Sequence, residues 1–190
     1  MTPFEYLLMF AAVILGLAVS ELAIKCHRLT AHGTPVRWDW LSPLAAFVVL
    51  LKIITQWWSW YGAQLLPGGL RFEMFIVVVI GAVLLFLLAA VALPETGHAD
   101  GVDLRQYYET TRRRFWLLFA AHWALATALS IWAEVVVGGA IYSGLSFTYL
   151  VVPVSVAMAF IRYRWMHGLV LAALAVVYTA QFFGQQLASR

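Results

Sequence analysis

The sequence predicts an all-α fold: a polytopic membrane bundle of about six transmembrane helices, with a short interfacial helix before the fourth. Three observations carry that expectation. Hydrophobic residues make up 64% of the chain and charged residues only 11%, with a mean hydropathy of +0.87, against roughly 25% charged in soluble domains. Apolar stretches of about 20 residues, long enough to cross a core of about 30 Å at 1.5 Å per residue, recur along the chain. These stretches are continuous rather than alternating. Because unpaired backbone amides cost several kcal/mol in hydrocarbon, helices are expected and barrel strands are not.

The first stretch runs from Phe4 to Ile24 and lacks the basic n-region of a secretory signal, so it is expected to stay in the fold. Leu41 to Ala63 forms the second, with Lys52 near its middle. Phe72 to Leu93 forms the third, and from Phe75 onward it carries no polar side chain, so it is expected to face lipid and contribute little chemistry. The connection from Pro94 to Arg114 is too short for a second domain, and residues 1–190 read as one transmembrane helical domain. Within that connection Asp103 and Gln106 offer a capping-box-like start, and Leu104, Tyr107, Tyr108, Thr111 and Phe115 recur at helical spacing. That pattern predicts the interfacial helix, running into a fourth span from Phe115 to Val135. Leu145 to Ile161 is the shortest span, and Pro153 inside it should kink the helix or free a carbonyl. Trp165 to Phe183 completes the set.

Orientation follows from the basic residues. Lys25, Arg28 and Arg37 follow the first span, Arg105 and Arg112 to Arg114 precede the fourth, and Arg162 and Arg164 separate the fifth and sixth. Those three connections are expected on the cytoplasmic side of an inner membrane, which puts both termini on the periplasmic or extracellular side. Trp38, Trp40 and Trp116 on the inner side, and Trp57, Trp58, Trp60, Tyr61 and Trp132 on the outer, fit aromatic belts at the two interfaces. The net charge of +3 is accounted for by topology and implies no nucleic-acid partner. A lone cysteine, Cys26, excludes an intrachain disulfide.

The opening FEYLLMF, the following ILGLAVSEL and HRL, and LPE with VDLRQYYETTRRRFW resemble an uncharacterised family of bacterial integral membrane proteins of similar length and hydropathy. The resemblance covers about a third of the chain. It implies a shared six-span fold and nothing about catalysis.

Polar groups inside apolar stretches carry the functional expectations, because an ammonium at a helix centre costs about 2.5–3.5 kcal/mol on insertion scales and must find an acceptor. Counted along the helices, Lys52 lies about 18 Å from the inner boundary, His122 about 10 Å and Glu21 about 5 Å. Lys52 is expected to reach Glu21, with Gln56 one turn further on the same face. Glu21, Lys52, Gln56 and His122 would then form a polar cluster, either an ion pair that fixes helix packing or a proton or ion path. His122, Ala126, Ser130 and Glu134 recur every fourth residue, a stripe of small and polar groups suited to helix contact or to a path. Ala12, Gly16 and Ser20 form a similar stripe on the first helix, so the two stripes could pack together or build an oligomer. Tyr178, Gln181 and Gln185 share a face of the sixth helix with His167 and Leu174, which could line an outer vestibule.

Three functions compete at this level. One is an oligomeric channel or transporter for protons or small ions, another an accessory, scaffold or sensor subunit whose partners are lipid and protein. A third is electron transfer through b-type haem, with His122 and His167 as axial candidates and His27 nearby. His27 and His167 lie at helix ends among arginines and are expected to be solvated. Without HExxH, GxSxG, a P-loop or a Cys/His ligand pattern, enzyme chemistry has little support and no metal site is expected. The acidic loop Glu95 to Asp103 and the glycine-rich VVVGGAIYSGLS read as a solvated loop and a tight turn.

Overall fold

The computed structural model describes residues 3–31, 35–62, 72–95, 101–137 and 145–188, with side chains described for 5–31, 35–60, 75–95, 101–131 and 149–181. Among them are six helices: α1 (Pro3–Thr30), α2 (Leu41–Gly62), α3 (Phe72–Ala92), α4 (Leu104–Val137), α5 (Leu145–Phe160) and α6 (Arg164–Ala188). Two short strands, β1 (Val36–Arg37) and β2 (Val102–Asp103), complete the described elements. The fold is all-α. Four helices, α1 to α4, are long and apolar enough to cross a membrane, whereas the apolar part of α5, Tyr149–Phe160, is shorter.

Successive helices run in opposite directions, so the end of α1, the start of α2, the end of α3, the start of α4, the end of α5 and the start of α6 meet at one level. This level holds Lys25, Arg37, Arg105, Arg112 and Arg164 and is called the basic end below. There β1 and β2 pair in parallel, Val36 beside Val102 and Arg37 beside Asp103, a contact no hydropathy pattern announces. Gly101 makes the pairing possible: its φ is +84°, and a Cβ there would lie 2.6 Å from the Pro35 carbonyl oxygen. Beneath the strands Leu29, Leu93, Val102 and Leu104 form a small apolar cluster of their own.

Helix α4 is continuous over 34 residues, about 50 Å at 1.5 Å per residue. The interfacial segment runs into the fourth span as expected and forms the first turns of α4. Asp103 caps them as foreseen, its Oδ1 accepting from the backbone N–H groups of Arg105 and Gln106 at 2.9 and 3.0 Å. Leu104, Tyr108 and Phe115 are buried against the bundle, so this segment packs on protein instead of lying flat on a surface.

Helix α3 also departs from expectation. It is central, packing on α1, α2 and α4, with Ala82, Leu85, Leu88, Ala89 and Ala92 buried along one side while Ile76, Ile80, Val83 and Leu87 face outward. An all-apolar sequence hides which half of a helix is covered, because hydropathy is the same on both faces. The small residues on the covered side let neighbouring backbones come close. Pro153 sits within an unbroken α5 with its ring outward. Helix α6 packs on α2, and Trp40 lies over Gly168, where a Cβ would stand 2.0 Å from the indole.

The main core runs through the bundle as aromatic rings from α4, Phe115, Trp116, Phe119 and Trp123, set among Leu85, Leu88, Met158, Leu171 and Tyr178. On α1 the buried face is Leu7, Leu8, Ala11, Leu15, Ala18, Leu22, Lys25 and Leu29, at helical spacing. Gly16 and Ser20 are on the opposite face, with no atom within 4 Å of a Cβ built at Gly16. The α1 stripe therefore does not pack on the α4 stripe within the chain.

Candidate functional site

Lys52 is where the chemistry is least ordinary. Its side chain is 6% exposed, beside Gln56 at 9% and His122 at 3%, all inside the bundle between α2 and α4. The amine donates to Gln56 Oε1 at 2.8 Å, a contact the i, i+4 spacing on α2 makes available. It also lies 4.3 Å from the centroid of the Trp123 ring, over the indole face. His122 Nε2 faces the same Gln56 oxygen at 3.3 Å. Since that oxygen only accepts, Nε2 donates to it in this arrangement. Nδ1 is buried with no hydrogen-bond partner at bonding distance, and the backbone of Gly81 on α3 is the polar group the ring faces.

The expected Glu21–Lys52 contact is absent. Glu21 pairs with Lys25 one turn along α1, 3.1 Å away, and Lys25 also donates to the Ala90 carbonyl of α3. An i, i+4 partner on its own helix is closer to Glu21 than a lysine in mid-span on another, so the carboxylate is taken locally. Among the described residues Lys52 forms no ion pair; an amide oxygen and an indole face meet its charge. Gln56 and His122 are brought to it as the sequence suggested, Glu21 is not.

Ser130 donates back to the Ala126 carbonyl of its own helix at 3.0 Å and does not extend the cluster. The Glu134 side chain lies outside the described residues. What continues the cluster is aromatic: Trp123 Nε1 donates to the Tyr178 hydroxyl at 3.2 Å, with the two rings stacked. Tyr178 is thus buried between helices instead of lining a vestibule, whereas Gln181 is exposed and Gln185 falls outside the described side chains. The signal for Trp123 was its place next to His122 on α4. Tyr178 offered none beyond sharing a face with Leu171 and Leu174.

A second polar layer lies at the basic end, where the last carbonyls of α3 and α5 have no helical partner. Donors from other helices meet them. Lys25 reaches the Ala90 carbonyl, the Tyr107 hydroxyl stands 3.0 and 3.2 Å from those of Val91 and Leu93, and Arg112 and His167 Nε2 both donate to Ile161. His167 Nδ1 accepts from Trp116 Nε1 at 2.9 Å, with the Tyr108 hydroxyl at 3.1 Å. His167 is therefore buried and fully engaged, not solvated as its arginine neighbours suggested. Arg164 donates to Asp39 at 2.5 Å and to Glu109 at 3.0 Å, and Glu109 also accepts from Arg105.

The haem candidates do not converge. His167 belongs to the Trp116 level, His122 stands six residues further along α4, about 9 Å at 1.5 Å per residue, and His27 is exposed on α1. Among the described residues no three of His, Cys, Asp and Glu come together as a metal-binding group.

No family model, curated protein or solved structure matches this chain.

Proposed function

We propose that the chain is a six-span inner-membrane protein, both termini outward and the basic end cytoplasmic, that moves protons or small ions as an oligomer. The observation that supports this reading is the buried Lys52 amine held by neutral groups. An amine in an ion pair can change protonation only by leaving a bare carboxylate behind; one that rests on an amide oxygen and an indole face leaves nothing charged. Gln56 links it to His122, so the amine and the imidazole sit on two sides of one amide oxygen. Lys52 and His122 would hold the proton or exclude the wrong ion, and Gln56 would position both. The uncovered Gly16 and Ser20 side of α1, flanked by half-buried Ala12, is the face on which copies of the chain would meet.

The test is flux in proteoliposomes with an entrapped pH-sensitive dye. Wild-type protein should dissipate an imposed gradient, and Lys52→Met, an apolar side chain of similar length, should abolish dissipation while the protein remains folded. Equal rates for the two proteins, or none for wild type, would remove the transport reading.

A specific observation favours a second reading, an accessory or sensor subunit: Lys52, Gln56 and His122 are sealed by packing on every described side. In that case Lys52→Met leaves a stable protein, and co-purification of a partner subunit from native membranes identifies what the chain serves.

A further inference from the structure

We propose that the corner where Arg113 of α4 meets residues 160–163 at the end of α5 binds the phosphate headgroup of an anionic phospholipid. The inference rests on the membrane reading above but not on transport. Arg112 and Arg113 are adjacent yet treated differently. Arg112 turns inward to the Ile161 carbonyl, which ties this part of α4 to the end of α5. Arg113 stays exposed, its guanidinium 5.1 Å from the centroid of the Phe160 ring. Phe160 is 59% exposed and Tyr163 69% exposed, so this corner turns large aromatic surface away from the bundle. Arg162, between these two in sequence, is exposed as well.

Neither Arg113 nor Arg162 forms an ion pair among the described residues. Glu109, one turn before Arg113, is taken by Arg105 and Arg164. The corner thus offers two guanidinium groups with no acceptor among the described residues, at the edge of an outward apolar surface. A planar guanidinium matches phosphate oxygens two at a time, and an aromatic ring beneath it fixes its plane. The acyl chains of the same lipid would lie along the exposed face of α5, where Val154, Val156 and Phe160 point outward. An anion carrying hydrocarbon satisfies both features, which a soluble anion does not.

The full-length chain, purified in mild detergent, would be given equimolar phosphatidylglycerol and phosphatidylcholine and its bound lipid read by native mass spectrometry. Phosphatidylglycerol should be retained over phosphatidylcholine. Arg113→Gln and Arg162→Gln should each lower that retention about fivefold, whereas Arg114→Gln, which removes an exposed charge one position along α4, should leave it unchanged. Equal retention by the Arg113→Gln/Arg162→Gln double variant and wild type would overturn the assignment, as would an equal loss in Arg114→Gln. Displacement of the lipid by excess inorganic phosphate at constant ionic strength would overturn it too, since the affinity would then lie in phosphate alone. A chain that keeps phosphatidylglycerol without proton flux supports this site and removes only the transport reading, and the reverse result removes only this site.

Discussion

Two buried lysines, 27 residues apart in the chain, are handled in opposite ways. Lys25 lies at the basic end with a carboxylate on its own helix and a helix-terminal carbonyl on another, so its charge is compensated twice. Lys52 lies between α2 and α4 and, among the described residues, its charge meets an amide oxygen and an indole. The difference follows from what each level of a helical bundle can supply. Helix ends leave carbonyls without partners, and these accept from cations; in mid-helix every carbonyl is already bonded, so only side chains remain as acceptors. Charge at the ends is therefore met by acceptors that helices must leave open, whereas charge in the middle depends on side chains alone.

That comparison can be broken by experiment. The largest effect is expected from Gln56→Leu, which leaves the Lys52 amine without its hydrogen-bond acceptor in a buried site and should cost about 3 kcal/mol. Denaturation of the purified protein, followed by helical circular dichroism, measures it; a loss below about 1 kcal/mol would mean that the Trp123 face alone suffices. Next comes Arg112→Met, which strips one donor from the Ile161 carbonyl and should cost about 2 kcal/mol in the same assay. If Arg112→Met proves more damaging than Gln56→Leu, the basic end and not the Lys52 level holds the bundle together.

Asp103→Ala removes the cap of α4 and should cost about 1 kcal/mol, with Asp103→Asn retaining most of it because the amide oxygen still accepts. The smallest change in stability belongs to Lys52→Met, within about 1 kcal/mol of wild type, since replacing a buried charge with an apolar group of like size is close to neutral. This variant sharpens the contrast most: a transport function of Lys52 predicts lost flux at unchanged stability, whereas unchanged flux at unchanged stability would leave the lysine without that function.

Much of the architecture was legible in advance. Helix positions, the Asp103 cap and the proximity of Lys52, Gln56 and His122 all follow from hydropathy and from i, i+3 and i, i+4 spacing. What hydropathy leaves open is which partners meet between helices. Depth pairs Glu21 with Lys52, but side chains also differ in azimuth around the helix, and Lys25 is the nearer cation. Arginine neighbours in sequence suggest a solvated His167, yet Arg164 turns to Asp39 and Glu109 while His167 points to Trp116. The lack of polar residues suggests a lipid-facing α3, and one side of it does face outward, but its alanine-rich side packs on three helices.

By itself the sequence determined that the chain is helical and rich in segments able to cross a membrane, because transfer from water depends on composition summed along a segment and needs no knowledge of neighbours. It also determined where unavoidable charge falls. Only the tertiary structure decided which acceptor each cation meets, which side of α3 is covered, and that β1 and β2 clasp the basic end. Those outcomes depend on how helices rotate and approach one another, and many rotations bury nearly the same apolar area, so hydropathy is blind to the choice. Hydrogen bonds, short and directional, make it.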